Sequence, residues 1–282
     1  MNDRLFIAAL HLLPKNAWSR CIGAVAHARL PRLLTSPSVR WFARRYDVNV
    51  SEAELPLSDY RSVGEFFTRR LKLGARNIDR RPGFAVSPAD GRVLNSGEIV
   101  DGRIIQAKGR DFSVAQLLKD EEAAERFFGG HWITVYLSPR DYHRVHHPVE
   151  GTIRYAHHIP GYLWPVNQAA VDNVDELFAV NERVVTYVDS PIGEVATVMV
   201  GATSVGHITM AYDEDLETNR GVDKGVRHFA DPIRVARGDE LGTFHLGSTS
   251  VVLFATPKVR LADRKEGEPI TMGEAITLKT TG

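Results

Sequence analysis

Past Asp90, short apolar runs alternate with turn residues. Arg103 to Ala107, Trp132 to Leu137, Thr152 to Tyr155, Val184 to Val188, Glu194 to Val200 and Ser250 to Ala255 are the runs, and glycine and proline punctuate them. That rhythm predicts an antiparallel sheet, built as a sandwich or a barrel-like body. The stretch from Ser113 to Phe128 (SVAQLLKDEEAAERFF) breaks it and predicts one helix, with Ser113 as N-cap and Gly129-Gly130 as stop. Near the N-terminus the period changes again: Leu5, Ala8, Ala9, Leu12 and Leu13 give a helix an apolar side, while Arg4, His11 and Lys15 share another face. The expectation is an α+β protein, with a helical region over 1–79 and a mostly antiparallel β domain over 80–282.

Charge adds to the reading of the N-terminal region. Lysine plus arginine and aspartate plus glutamate both number 35, so nothing global points to a nucleic-acid partner. Residues 1–45, however, carry eight basic residues against Asp3 alone, a net of +7. With Trp18, Trp41 and Phe42 beside them, the basic amphipathic pattern predicts a helix lying on an anionic membrane surface. A helix docked on the protein's own core, with a solvated basic face, fits the composition equally well. No apolar run approaches the roughly 20 residues that span a bilayer. Ala24-Val25-Ala26 resembles a signal-peptide cleavage site, but Asp3, Lys15 and Arg20 are in the wrong places for one. Cys21 is the single cysteine, which excludes an intrachain disulfide.

Three motifs carry candidate chemistry. Gly247-Ser248-Thr249 stands directly before the last apolar run. A glycine carbonyl can be approached closely, and a serine hydroxyl follows it, which suits a serine attacking its own preceding peptide bond. A plain turn is the other reading. Ser87 to Val93 (SPADGRV) places Asp90 either in an Asp-Gly hairpin or as the acid that orients a histidine. Leu137 to Pro148 (LSPRDYHRVHHP) holds His143, His146 and His147 within five residues. His143 and His146 have spacing suited to zinc. Pro139 and Pro148 bracket them, Cys21 is distant and no HExxH helix is present, so acid–base work is the better reading and no metal is expected.

In their order along the chain the motifs resemble the bacterial, pyruvoyl-dependent phosphatidylserine decarboxylase proenzyme family. The likeness runs from about Arg61 to Pro257. It takes in Glu65 to Arg70, Gly74 to Asp79, SPADGRV, Lys108-Gly109, YHRVH, Asn181-Glu182-Arg183, Val200 to Thr203 and LGST. The resemblance implies a self-processing triad of Asp90, His146 and Ser248. In it His146 takes the Ser248 proton, Asp90 holds the imidazole tautomer, and Ser248 Oγ attacks the Gly247 carbonyl. Cleavage between 247 and 248 would leave a heterodimer of a β chain (1–247) and an α chain (248–282), with further dimerisation left open. Ser248 would become a covalent pyruvoyl cofactor that forms a Schiff base with the substrate amine. Phosphatidylserine would give phosphatidylethanolamine and CO2, with His143 returning the proton to the carbanion. A phospholipid substrate favours the membrane reading of the N-terminus, as a peripheral protein on the cytoplasmic face of the cell membrane. His147 and His207 depart from the family pattern.

Two rival classes remain. A serine hydrolase would keep Ser248 intact, but it usually carries a Gly-x-Ser-x-Gly elbow, which this chain lacks. A non-catalytic membrane scaffold explains the basic N-terminus and none of the three motifs. A decarboxylase acting on another amino-acid headgroup or a soluble amino acid keeps the chemistry. The loop Gly161 to Asn167 reads equally as a site wall or a packed corner, and Asn181-Glu182-Arg183 as a polar turn.

Overall fold

The computed structural model describes residues 14–107, 110–203, 207–219, 223–245 and 248–278. The amphipathic stretch from Arg4 to Leu13, Lys108-Gly109 and Leu246-Gly247 lie outside the described residues.

Helices come first: α1 (Lys15–His27), α2 (Arg32–Arg45) and α3 (Val63–Phe67). Ser62 starts α3 by accepting from Glu65 N at 2.9 Å, and the Glu65 carboxylate reaches back to Arg61 N, a close variant of the capping box. Val39, Phe42 and Ala43 of α2 pack with Tyr60, Phe66 and Phe67 into a small core of their own.

Among the described residues the strands build three antiparallel sheets. The largest has nine, including β1 (Gly91–Glu98), β4 (His131–Leu137), β6 (Gly151–Ile159), β7 (Arg183–Ser190), β8 (Gly193–Val200) and β13 (Ser248–Phe254). The short β10 (Val226–Arg227), β11 (Ile233–Val235) and β14 (Pro269–Ile270) complete it. Its order is β10-β6-β7-β8-β13-β4-β1-β14, with β11 also on β6. The ends do not meet among the described residues, so the antiparallel expectation holds and the sheet is open, not a closed barrel. A second sheet is β5 (Arg144–His146), β12 (Glu240–Phe244) and β9 (Ile208–Met210), in the order β5-β12-β9. The third is β2 (Arg103–Ala107) with β3 (Arg110–Ser113).

Strand β13 is central, and every residue of it is buried. Val251 and Leu253 enter the main core, while Val252 and Phe254 enter a second cluster. A strand covered on both sides needs apolar residues at successive positions, which is why its run is continuous and not alternating. β12 belongs to the small sheet and β13 to the large one, so the chain leaves one sheet after Phe244 and joins the other at Ser248.

The helix expected over 113–128 is two: α4 (Val114–Leu118) and α5 (Glu121–Glu125). Ser113 caps α4 as expected, accepting from Ala115 N at 3.1 Å. Lys119 then takes a left-handed conformation with φ of 51°, and Asp120 Oδ1 caps α5 from Ala123 N at 3.0 Å. Acidic residues favour a helix start over a helix interior, and Asp120-Glu121-Glu122 begins a new one. Asp90-Gly91 is not a hairpin turn either. Gly91 opens β1, where a Cβ would lie 2.1 Å from the Tyr136 carbonyl oxygen, so only glycine lets β1 close on β4. Two further helices, α6 (Gln168–Asn173) and α7 (Leu177–Val180), follow β6.

Candidate active site

Ser248 opens β13 opposite Leu137, the last residue of β4. On the other side β8 ends at Val200, which pairs with Thr249, so Ser248 has no ladder partner there. Its side chain is fully buried, and its hydroxyl has no hydrogen-bond partner among the described residues. A buried hydroxyl left in that state costs about 1–3 kcal/mol. Such a cost is often found where the group has a chemical task.

The histidine segment reaches the same end of the sheet through a tight turn. Asp141 Oδ2 accepts from Ser138 N and Ser138 Oγ, both at 2.7 Å, and Asp141 N donates to Ser138 O at 2.9 Å. The turn folds Tyr142 and His143 back from β4 and leads into β5. Phe244 N, four residues before Ser248, donates to His143 O at 3.0 Å. Serine and histidines therefore arrive on two neighbouring connections.

Both candidate imidazoles have their tautomers fixed by backbone carbonyls. His143 Nδ1 meets Asp141 O at 2.9 Å. A carbonyl only accepts, so Nδ1 carries the hydrogen and Nε2 keeps its lone pair, which meets no partner among the described residues. The ring is fully buried, 3.9 Å from the Phe67 ring between centroids. Burial first, then the Arg69 cation, push its pKa down to about 3. His146 Nδ1 donates to Gly238 O at 2.8 Å, and its Nε2 accepts from the Tyr142 hydroxyl at 3.1 Å. Burial lowers the His146 pKa too, and pushes Tyr142 up to about 12. His147 is buried, with its pKa pushed to about 4 by desolvation and neither ring nitrogen bonded among the described residues.

These depressions predict acid lability. Above the ordinary histidine value of 6.5, folded and unfolded chains hold the same protons on these rings. As pH falls below 6.5 the unfolded chain takes up protons that folded His143 and His147 refuse until about 3 and about 4. Stability is therefore complete above pH 6.5 and lost on the way down, by about 1.4 kcal/mol per histidine per pH unit. The two together should remove about 4 kcal/mol between pH 6.5 and 5. Thermal melts across that range check this. A constant Tm would mean the rings are not buried and neutral.

Asp90 is buried and densely bonded. Arg76 Nε donates to its two oxygens at 2.8 and 3.1 Å, Arg76 Nη2 adds a closer contact, and Met272 N donates at 2.8 Å. Arg76 also bonds Glu52 at 3.0 Å. The orienting bond expected between Asp90 and His146 is absent, because the Gly238 carbonyl occupies Nδ1. The two residues are still neighbours: His146 N donates to Pro88 O at 2.8 Å, and the Asp90 charge raises the His146 pKa against burial. Arg76, Tyr142 and Gly238 were not singled out from sequence. Arg76 lay within the Gly74 to Asp79 motif, whereas a backbone carbonyl leaves no side-chain signal.

The aromatic loop is mainly a packed corner. Leu163, Trp164 and Val166 are buried, and Tyr162 is 61% exposed. Asn181 ties it to the end of β8, accepting from Trp164 N at 2.9 Å and donating to Trp164 O and Gly201 O at 3.0 and 2.9 Å. Arg183 caps α4 through the carbonyls of Gln116 and Leu117. Helix α1 docks on this loop: Asn16 Nδ2 donates to Gly161 O at 3.0 Å, and Lys15 Nζ lies 3.9 Å from the Trp164 ring. At its other end His27 sits 5.5 Å from His245, which stacks on His207 at 4.1 Å. His207 in turn meets Glu217 at 3.2 Å.

The family model described as phosphatidylserine decarboxylase matches residues 63–278. The chain belongs to the phosphatidylserine decarboxylase family. A second model, described as PSD, matches residues 5–47. A phosphatidylserine decarboxylase proenzyme of Anaeromyxobacter sp. (strain K) is 46% identical over 98% of this chain and 99% of its own. That of Myxococcus xanthus (strain DK1622) is 43% identical over 99% and 100%, and that of Brevibacillus brevis is 41% identical over 99% of both. The phosphatidylserine decarboxylase match covers every candidate residue from Phe67 to Met272. As a decarboxylase of this family the chain is an enzyme, which sets aside the hydrolase and scaffold readings. Among the described residues no helix is long and apolar enough to cross a membrane.

Proposed function

We propose that this chain is a proenzyme that cuts itself between Gly247 and Ser248, and that the mature enzyme decarboxylates phosphatidylserine to phosphatidylethanolamine. The carrying observation is Ser248, whose buried hydroxyl has no hydrogen-bond partner among the described residues. It stands at the start of a central strand, reached from the connection on which Phe244 N bonds His143 O. Ser248 Oγ adds to the Gly247 carbonyl carbon while an imidazole Nε2 takes the hydroxyl proton, and loss of the amide nitrogen leaves an ester. His146 is the base for this step, once the Tyr142 hydroxyl releases its lone pair, and Asp90 with Arg76 holds the surrounding charge. Removal of the residue 248 α-proton then breaks the ester, giving the Gly247 carboxylate and a dehydroalanine that water converts to a ketone with release of ammonia.

A buried serine position of this kind fits a pyruvoyl group made in place, and such a carbonyl supplies an electron sink for an amine that loses CO2. Around it the chain's residues exclude water and move protons. His143 Nε2, unbonded and neutral, is the atom assigned to returning the proton after decarboxylation. Intact mass tests the reading: an active preparation should contain a chain of roughly 4 kDa beside the remainder of the 31.4 kDa total. A single full-length chain with full activity would sink it.

The same reading places α1 and α2 against an anionic bilayer, on its cytoplasmic side. Leu33 and Trp41 are 88% and 63% exposed, with Trp18, Leu30 and Leu34 exposed nearby. Arg29, Arg32, Arg40, Arg44 and Arg45 stand among them. An apolar cavity of about 450 Å³ lies between the helices, lined by Trp18, Ile22, Val25 and Leu30 among others. Each arginine near an anionic surface contributes about 1 kcal/mol, a contribution that salt screens. Sedimentation with anionic liposomes should therefore weaken as salt rises and be largely lost in Leu33→Glu/Trp41→Glu. Point changes are the right tool, since deleting residues 1–45 would also strip Phe42 from a core and α1 from the Gly161 loop. Undiminished binding by the double variant would put the membrane surface elsewhere.

A further inference from the structure

We propose that Arg69 is a positioning residue for His143, clamping the peptide carbonyl that fixes the imidazole as its Nδ1–H tautomer with Nε2 open. This rests on the reading of His143 as a proton-transfer group. Arg69 lies two residues beyond α3 and is only 4% exposed. Its Nη2 donates to Arg140 O at 3.0 Å and Asp141 O at 3.2 Å. The Asp141 oxygen is the one that receives the His143 Nδ1 hydrogen at 2.9 Å. One carbonyl thus collects a guanidinium donor and an imidazole donor, and the guanidinium holds two successive carbonyls in place. Rotation of that peptide would take the acceptor away from Nδ1, and the tautomer of a histidine follows the bond its other nitrogen makes.

The placement is costly for a merely structural arginine. Nε and Nη1 of Arg69 are buried and have no hydrogen-bond partner among the described residues, and the cation sits 5.2 Å from the Phe66 ring. Buried donors without acceptors destabilise a fold, and an apolar residue of similar volume would avoid the loss. Phe67, from the same segment, packs on the His143 ring, so residues 67 and 69 hold that ring by its face and by its nitrogen. The Phe67 ring and the Asp141 carbonyl hold the imidazole, and Arg69 is the charged side chain whose field acts on it. A cation there makes imidazolium unfavourable. Nε2 is kept as a bare lone pair at rest, and a proton placed on it is readily given up.

The tautomer can be read directly in the full-length Ser248→Ala chain labelled with ¹⁵N-histidine, with the His143 signals assigned by their loss in His143→Gln. The parent should show His143 as a single Nδ1–H tautomer. Arg69→Met should show both tautomers, and in the cleavable chain it should lower decarboxylation kcat at least about tenfold with KM little changed. Should Arg69→Met not fold, Arg69→Lys carries the test, because an ammonium keeps the charge but lacks the planar fork that holds two carbonyls. A single Nδ1–H tautomer in either folded variant overturns the proposal. His143→Gln separates the two readings: normal decarboxylation there would refute the proton-transfer role of His143, whatever the Arg69 spectra show.

Discussion

Replacing Ser248 with alanine should leave one uncut 31.4 kDa chain with no decarboxylase activity. The expected loss is complete, because the change removes both the attacking oxygen and the atom from which the reactive carbonyl is made. Misfolding can be told apart from lost chemistry. The Ser248 hydroxyl is buried without a partner among the described residues, so its removal should leave the melting temperature unchanged or raise it. In the unsubstituted protein the small chain should resist Edman degradation and react with hydroxylamine, as a ketone does. The alanine variant should show neither fragment nor adduct. A fragment of the same size from Ser248→Ala would mean that the cut is made by something other than this serine.

The second large effect divides the histidines. His146→Ala and Asp90→Ala should block cleavage by several powers of ten, as loss of a general base or of its supporting acid does elsewhere. His143→Ala should still cleave, at least in part, and decarboxylate poorly. The contacts make each arm sharper. Asp90→Ala strands Arg76, so Asp90→Asn, which keeps an acceptor for Met272 N, is the cleaner probe. Tyr142→Phe should leave the His146 lone pair open and speed cleavage, because the tyrosine hydroxyl occupies it at 3.1 Å. Of His143 and His146, His143 is the one whose Nε2 has no hydrogen-bond partner among the described residues. If His143→Ala remains a proenzyme while His146→Ala matures, the two roles are exchanged.

The antiparallel sheet was legible because its strands are written as apolar runs between turns, and the Ser113 cap because its geometry is local. The split of the 113–128 helix was hidden by a good apolar period; what decided it was the capping preference of Asp120 over a mid-helix place. The candidate residues were legible as motifs, but their contacts were not. Asp90 sits against Arg76, fourteen positions away, and Met272, near the other end of the chain, and no pattern in either segment announces that meeting. The His146 tautomer is set by the carbonyl of Gly238, and any residue has a carbonyl. Arg69 was visible only as part of a basic, aromatic motif, since its burial depends on how α3 meets the Ser138 turn.

Strand β13 lies between β8 and β4 in the middle of the nine-stranded sheet, and the residues after it return to β1 and to Ala85 and Asp90. A cut at its first residue would sever the chain but not the sheet. The small product would stay threaded through its parent, locked by two neighbouring strands and by the Met272 amide on Asp90. Folding and maturation would then be separated in time: the uncut chain brings its central strand to the sheet as an intramolecular event, an advantage that would disappear with the bond. A matured molecule, once unfolded, would have to recapture a loose peptide from solution. Self-cleavage at this position would therefore be a one-way latch, and the mature state would persist through slow escape of an inserted strand more than through a return to equilibrium.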